Sequence, residues 1–436
     1  MGFFRSNKEP RPSLPSISPY LTSTQDTVFK PNDTVSGYIE LATPFPITPQ
    51  AIEISLWGES KTWIRTSSTH GSGNNTSTSY RHYRDNAPLF TLTSNLLPKT
   101  AELFPGQIHS FPFSFRVPEG TGVNRSGCYE DDTDARWTVF PHNLPPTFFV
   151  GTSPEIPNNC EISYGVTARL ICFGVGVGKD LEPVHSTVPV LFQPLNVNTL
   201  TQGPLSMIRH PKSFTLSSSA LTGLDVSAIG FRQRMTDRLS SGTPKLDFEL
   251  AIEVPDLLTS GSEFRFRTTF TVLAKSDKVT FIPELRFRIL KLELLDFTFF
   301  RAPRDWEASD TMSGYHHKTV SSTPRSGLGF QGQENNVYSE KKTALNSLPD
   351  MHVIELPEVQ VEGEKKGMEQ ARHCEHWWTG RVPGFTPPSF QSFAISRAYR
   401  IKVKMGMEVG GKKFEYQVES HVRELGSVPG GEGCNF

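Results

Sequence analysis

His109-Ser110-Phe111-Pro112-Phe113-Ser114-Phe115-Arg116-Val117 is the stretch whose reading decides the fold. Phe111, Phe113, Phe115 and Val117 occupy alternate positions, with Ser110, Pro112, Ser114 and Arg116 between them. Successive side chains of a strand point to opposite faces, so this is a strand with one aromatic face turned to a core. Pro112 falls on the other set, where its missing N–H predicts a sheet edge or a bulge. The same period of two recurs outward in both directions. Val35, Ile39 and Leu41 share a face; so do Ile52, Ile54 and Leu56, and Ile162, Tyr164, Val166, Ala168 and Leu170. Further along, Leu246, Phe248, Leu250, Ile252 and Val254 alternate with polar residues, as do Ile401, Val403, Met405 and Met407.

Turn signals separate these runs: Pro31-Asn32-Asp33, Pro105-Gly106, Pro118-Glu119-Gly120 and Gly410-Gly411. Helical periodicity is scarce, the best stretch being 231–239. Alternating strands joined by turns predict an all-β protein of two tandem antiparallel β-sandwiches. A length of 436 residues suits two such domains, with 34 glycines and 34 prolines for the turns. The first sandwich is expected over 17–195 and the second over 196–425. Three stretches do not fit the alternation: 66–86 is expected to be a mobile loop, 119–143 an insertion of mixed charge with few apolar residues, and 303–350 a disordered insertion in the second sandwich. The ends, 1–16 and 426–436, are expected to be flexible tails.

Charge narrows the function. Forty-four Lys and Arg against 45 Asp and Glu leave a net charge of -1, which does not suit a nucleic-acid binder. No run of about 18 apolar residues predicts a membrane span. Cys128, Cys160, Cys172, Cys374 and Cys434 are odd in number and scattered, which predicts a reduced, cytoplasmic chain. The opening Met1-Gly2-x-x-x-Ser6 matches the bare myristoylation pattern, with the bulky Phe3 against it.

Four segments carry a resemblance. Val28-Phe29-Lys30-Pro31-Asn32-Asp33-Thr34-Val35-Ser36-Gly37-Tyr38-Ile39 resembles the arrestin-domain strand with its proline-glycine-aspartate turn, Asn32 standing for the turn glycine. Leu103-Phe104-Pro105-Gly106 through Phe111-Pro112-Phe113-Ser114-Phe115-Arg116-Val117-Pro118 resembles the arrestin G-x-x-x-F-P-F-x-F-x-L-P signature. Leu144-Pro145-Pro146-Thr147-Phe148 and Ile162-Ser163-Tyr164-Gly165-Val166 resemble the next two segments. More loosely, Pro388-Ser389-Phe390 and Ile395 to Val403 look like closing strands of an arrestin C-terminal sandwich. The chain is thus similar to fungal alpha-arrestins, and the signature positions Gly37, Pro105, Gly106, Phe111, Pro112, Phe113, Phe115, Pro145, Pro146 and Tyr164 are expected to be structural.

The resemblance implies an immunoglobulin-like architecture and an intracellular trafficking adaptor. Such proteins bind membrane transporters or receptors as cargo and recruit a HECT-type ubiquitin ligase, acting from the cytoplasm at the plasma membrane or endosomes. Recruitment uses a PPxY motif, and here the pattern departs: Pro145-Pro146-Thr147-Phe148 and Pro387-Pro388-Ser389-Phe390 both end in Phe. That favours an alternative with the same fold, a ligase-independent sorting-complex subunit or scaffold like the arrestin-like subunit of retromer. A secreted carbohydrate-active sandwich is a remote third reading, lacking a signal peptide and a carboxylate pair.

Catalytic and metal motifs are not found, so no enzyme and no cofactor are expected. His373-Cys374-Glu375-His376 has no second pair of ligands near it, and reads as a solvated loop. Gly174-Val175-Gly176-Val177-Gly178-Lys179 lacks phosphate-loop spacing and reads as a glycine-rich turn. One surface cluster stands out. Arg400, Lys402 and Lys404 share the polar side of one predicted strand, with Lys412 and Lys413 just past a turn. If five cations share one face, an anionic lipid headgroup or phosphorylated cargo tail would suit it.

Overall fold

The alternating runs become strands. The computed structural model describes residues 14–72, 75–97, 99, 101–129, 131–177, 182–194, 206–224, 242–303, 335–347, 352–354 and 373–426. In chain order the strands are β1 (Ser16–Leu21), β2 (Val28–Phe29), β3 (Thr34–Ala42), β4 (Ala51–Ser72), β5 (Asn75–Asn95), β6 (Ile108–Arg116), β7 (Phe148–Val150), β8 (Asn159–Ile171), β9 (Val184–Phe192), β10 (Met207–Ser217) and β11 (Lys245–Pro255). They continue as β12 (Leu257–Thr259), β13 (Glu263–Lys275), β14 (Leu285–Ala302), β15 (Asn335–Ser347), β16 (His352–Ile354), β17 (His373–Arg381), β18 (Phe390–Gln391), β19 (Ile395–Val409), β20 (Lys412–Val422) and β21 (Glu424–Gly426). Among the described residues the one helical element is a 3-10 turn at Ser219–Thr222.

The chain divides into two compact units. The first comprises Met1–Leu195, Phe299–Val337 and Phe390–Ser396; the second comprises Asn196–Thr298, Tyr338–Ser389 and Arg397–Phe436. In the first, a three-stranded sheet (β1-β3-β6) faces a larger one (β2-β9-β8-β4-β5, with β7 on β8). Val35, Ile39 and Leu41 of β3 share a buried core with Ile52, Ile54 and Leu56 of β4 and with Ile162, Val166 and Leu170 of β8. In the second, Phe248, Leu250 and Ile252 of β11 and Phe266 and Phe270 of β13 meet Ile401, Val403 and Met405 of β19. β2 pairs with β9 and β12 with β21 in short parallel pairs, while the long ladders of β4 with β5 and β8, of β11 with β10 and β13, and of β19 with β20 are antiparallel.

Three expectations need correction. The polar stretch 66–86 is not a loop: β4 and β5 pair continuously out to Ser72↔Asn75. Period-two apolarity misses it because there is little core to face. Small-residue and stacking contacts take over, such as Ser68 to Ser79 at 2.8 Å and the Arg65 guanidinium 5.1 Å from the Tyr80 ring. The insertion expected at 119–143 has no strand among its described residues, and its Tyr129, Trp137 and Val139 are buried. Within 303–350, residues 335–347 form β15 and Leu345 is buried; 304–334 and 348–350 lie outside the described residues. Finally, neither unit is one continuous run of chain, because 299–302 and 390–396 pack with the first unit: Phe300, Ala302, Phe393, Ala394 and Ile395 all enter its core. The helical stretch expected at 231–239, and the tails 1–13 and 427–436, lie outside the described residues.

Candidate functional site

The signature residues hold the first sandwich closed. Asn32 adopts φ 71°, as the turn requires of a residue standing for glycine. Its N–H reaches Val117 O at 2.9 Å and its side-chain amide reaches Glu119 at 2.8 Å, joining the turn to the end of β6. Gly37 lies between β1 and β6. A Cβ there would sit 1.9 Å from the Tyr20 carbonyl oxygen and 2.9 Å from the Phe113 ring, so glycine is what lets β1 close against β3. Pro105-Gly106 turns the chain into β6, with Gly106 at φ 78°. Phe113 is buried, while Phe111 and Phe115 are half-buried against the same core. Pro112 sits opposite Tyr38, and β6 is an edge strand, as its missing N–H predicts.

Both Pro-Pro-x-Phe segments are built into sandwiches by the same device. In the first unit the buried Tyr164 hydroxyl donates to Pro145 O at 2.5 Å, and Pro145, Pro146 and Phe148 are buried. In the second unit the Tyr399 hydroxyl donates to Pro387 O at 2.7 Å, and Pro388 is buried. Burial pushes both phenols above the ordinary tyrosine range.

The first unit also encloses a charged cluster that sequence reading missed. Asp85 of β5 accepts from Arg125 at 2.7 Å and from the Tyr129 hydroxyl at 2.6 Å. Arg301, at the end of β14, is 1% exposed. It lies 3.8 Å from the Tyr129 ring centroid and 5.0 Å from that of Trp137. It donates to Phe393 O at 3.1 and 3.2 Å and to Asp131 O at 2.8 Å. Burial and the Asp85 carboxylate push Tyr129 well above the usual phenol range. The signal that could have found this cluster was Tyr129 and Trp137 inside an otherwise polar stretch.

The basic cluster on β19 and β20 is reorganised. Gly410-Gly411, both at positive φ, close a tight hairpin between the two strands. Arg400, Lys402 and Lys404 alternate with the fully buried Ile401, Val403 and Met405, as expected. Lys413 pairs with Glu408 and joins the same face, whereas Lys412 is opposite the buried Val409 and leaves it. Carboxylates interleave the four that remain. Lys404 lies 3.2 Å from Glu415; Lys402 lies 3.8 Å from Glu419 and 3.9 Å from Glu293; Arg400 lies 4.0 Å from Glu419. With Glu408 opposite Lys413, each of these four cations has a carboxylate beside it.

The remaining motifs are structural. His373–Arg381 is strand β17 and not a solvated loop, with Trp378 in the second core and its ring 4.4 Å from that of His376. Among the described residues no group of His, Cys, Asp and Glu is placed to hold a metal ion. Of the glycine-rich run, Gly174 lies in a turn bridged by Cys172↔Val175 and Val177 bridges Glu182, while Gly178 and Lys179 lie outside the described residues. No helix among the described residues is long and apolar enough to cross a membrane.

Comparison with known proteins agrees with this geometry. The family model for the arrestin (or S-antigen) N-terminal domain matches residues 18–126, which run from β1 through β6 into the Arg125 turn. The comparison with curated proteins returned no match. The signature strands β3 and β6, closed through Gly37 and Phe113, fall inside the matched segment, so residues 18–126 are what is similar to an arrestin N-terminal domain.

Proposed function

We propose that this protein is an intracellular trafficking adaptor that binds membrane-protein cargo and links it to ubiquitin-dependent endocytosis or sorting. The arrestin N-terminal domain over 18–126 carries this reading, since arrestins are non-enzymatic adaptors. The expected setting is cytoplasmic, with peripheral recruitment to the plasma membrane or endosomes. Transporters or receptors are the cargo in this reading, and a HECT-type ubiquitin ligase is the downstream partner.

A second reading is favoured by one observation. Both Pro-Pro-x-Phe segments are tied into sandwiches by Tyr164 and Tyr399. A WW domain needs an exposed polyproline ridge followed by a tyrosine, and neither segment offers one. That supports a sorting-complex subunit or scaffold working without a directly bound ligase. Proximity labelling in the native cell, scored for transporters, ligase and retromer components, separates the two. Transporters with ligase support the first reading, and transporters or retromer without ligase support the second. Labelling that returns no membrane-trafficking component refutes both.

A further inference from the structure

We propose that the end of the first sandwich where β4 begins and β8 ends inserts into the surface of a lipid bilayer, with Phe104, Ile108 and Phe173 as its anchors. This gives the adaptor reading its mode of peripheral recruitment, and it rests on that reading. Three segments meet at this end, where Ala51 is paired with Ile171. Residues 43–50 lead from β3 into β4, residues 101–107 lead into β6, and residues 172–177 follow β8. Ile47 and Leu103 exchange both backbone hydrogen bonds, at 3.0 and 2.8 Å, which sets Phe104 beside residue 47. Cys172 Sγ lies 3.6 Å from Thr48 O, which sets Phe173 beside residue 48. Ile108 opens β6 opposite Ala42, the last residue of β3.

Three observations point to a bilayer. The first is exposure. Phe173 is 90% exposed and Ile108 69%, two of the three most exposed large apolar side chains among the described residues, and Phe104 is 51% exposed. Such residues are ordinarily buried, and a cluster left in water marks a surface that meets something apolar. They stand on tips. Phe173 is the second residue of a turn closed by Val175 N–H to Cys172 O at 3.2 Å, with Gly174 at φ 71°. Phe104 and Ile108 flank the Pro105-Gly106 turn. Side chains standing off convex tips suit a fluid that closes round them, whereas a folded protein would need a separate pocket for each.

The second observation is charge. The sequences 43–50, 96–107 and 172–183 hold Lys99 and Lys179 against Glu102, Asp180 and Glu182. Two cations against three carboxylates give no attraction to anionic headgroups, so apolar insertion is what holds this end. The third is the backbone. A peptide N–H that leaves water without a partner is costly, which bars most loops from a bilayer. Pro44, Pro46, Pro49 and Pro105 have no N–H to desolvate. Ile47, Leu103 and Val175 donate theirs within the protein, as do Gln50 to Ile171 O and Leu96 to Ile52 O, both at 2.8 Å.

The test is co-sedimentation of the full chain with neutral phosphatidylcholine vesicles. The parent should sediment, and raising the salt should change its affinity less than about twofold, because there is no charge attraction to screen. Phe173→Ser with Ile108→Ser should weaken binding at least about tenfold, since burying either side chain is worth about that much. Its melting transitions should match the parent's, both positions being exposed. Phe385→Ser removes an apolar side chain that is 72% exposed in the second unit, and should change the affinity less than about twofold if insertion is confined to this end. In Phe173→Trp, acyl-brominated phosphatidylcholine should quench the added indole relative to the parent. A parent that stays in solution overturns the proposal, as does undiminished sedimentation of the double variant. Release by salt, an equal loss in Phe385→Ser, or no added quenching in Phe173→Trp overturns it too. The adaptor reading fails separately, when labelling in cells returns no membrane-trafficking component while the purified chain still sediments.

Discussion

Neutralising Asp85 should destabilise the first unit more than its size suggests. The carboxylate is buried, with 5% of its side chain accessible, and Arg125 beside it has 14% accessible. Arg301, a second buried guanidinium, is bonded to backbone carbonyls and packed on aromatic rings. In Asp85→Asn the amide oxygen still accepts from Arg125, and the amide N–H can donate to the Tyr129 oxygen. What is lost is the negative charge facing the buried cations. Removing one partner of a buried pair costs about 3–5 kcal/mol, because the other charge is left uncompensated. For a unit of this size 1 kcal/mol moves the melting temperature by roughly 2–4 °C, so the shift should be about 6–20 °C. Calorimetry should show it in one transition only, since the second unit has its own core. The double variant Asp85→Asn with Arg125→Gln restores a neutral pair and should be more stable than the sum of the single changes by about 1–3 kcal/mol. Additivity within about 0.5 kcal/mol, or a shift of both transitions together, would refute this account of the cluster.

Other outcomes follow from single contacts. Phe113→Ala should cost about 3–5 kcal/mol in the first transition, measured by chemical denaturation, because Phe113 is buried beside Gly37. Tyr399→Phe leaves the Pro387 carbonyl without its donor and should cost about 1–3 kcal/mol in the second transition, leaving the first in place. Tyr129, Tyr164 and Tyr399 all have raised folded-state pKa values, so their contribution is complete below about pH 10 and lost as pH rises beyond it. His142 is shifted the other way by burial, so its contribution holds above about pH 6.5 and is lost as pH falls, which a pH series of melting curves would show. On β20, Glu415→Gln with Glu419→Gln leaves four cations against Glu293 and Glu408. It should raise sedimentation with anionic vesicles above that of the parent, each freed cation being worth about 1 kcal/mol near the surface.

Much of this was legible in the sequence, and the reason is periodicity. Phe113, Ile54, Val166, Phe248 and Val403 all sit where alternation predicts, because a half-buried strand writes its inner face at every second residue. The β4–β5 arm escaped because cross-strand hydroxyl and cation–ring contacts leave no apolar period. The basic face was read correctly for Arg400, Lys402 and Lys404, whose strand is continuous. It was misread for Lys412, because a two-residue turn fixes which side the next residue takes. One of the carboxylates beside that face, Glu293, comes from β14, whose place beside β19 no local pattern reveals. Arg301 was invisible for the same reason: its partners lie about 90 and 170 residues away.

That last feature bears on how the chain is made. The first unit holds most of its strands within the first 195 residues, yet its core is completed by Phe300, Ala302, Phe393, Ala394 and Ile395. A ribosome adding about 5–20 residues per second needs roughly 10–40 s to travel from residue 195 to residue 395. Through that interval the emerging first sandwich has an unfilled flank: the ring faces of Tyr129 and Trp137 wait for Arg301 over its first half, and the places of Phe393, Ala394 and Ile395 stay empty to its end. The order of synthesis and the order of closure are therefore different, and the nascent unit exposes apolar surface until the second unit's chain is nearly finished. Such a chain depends on chaperone cover during translation more than a sandwich of contiguous sequence does.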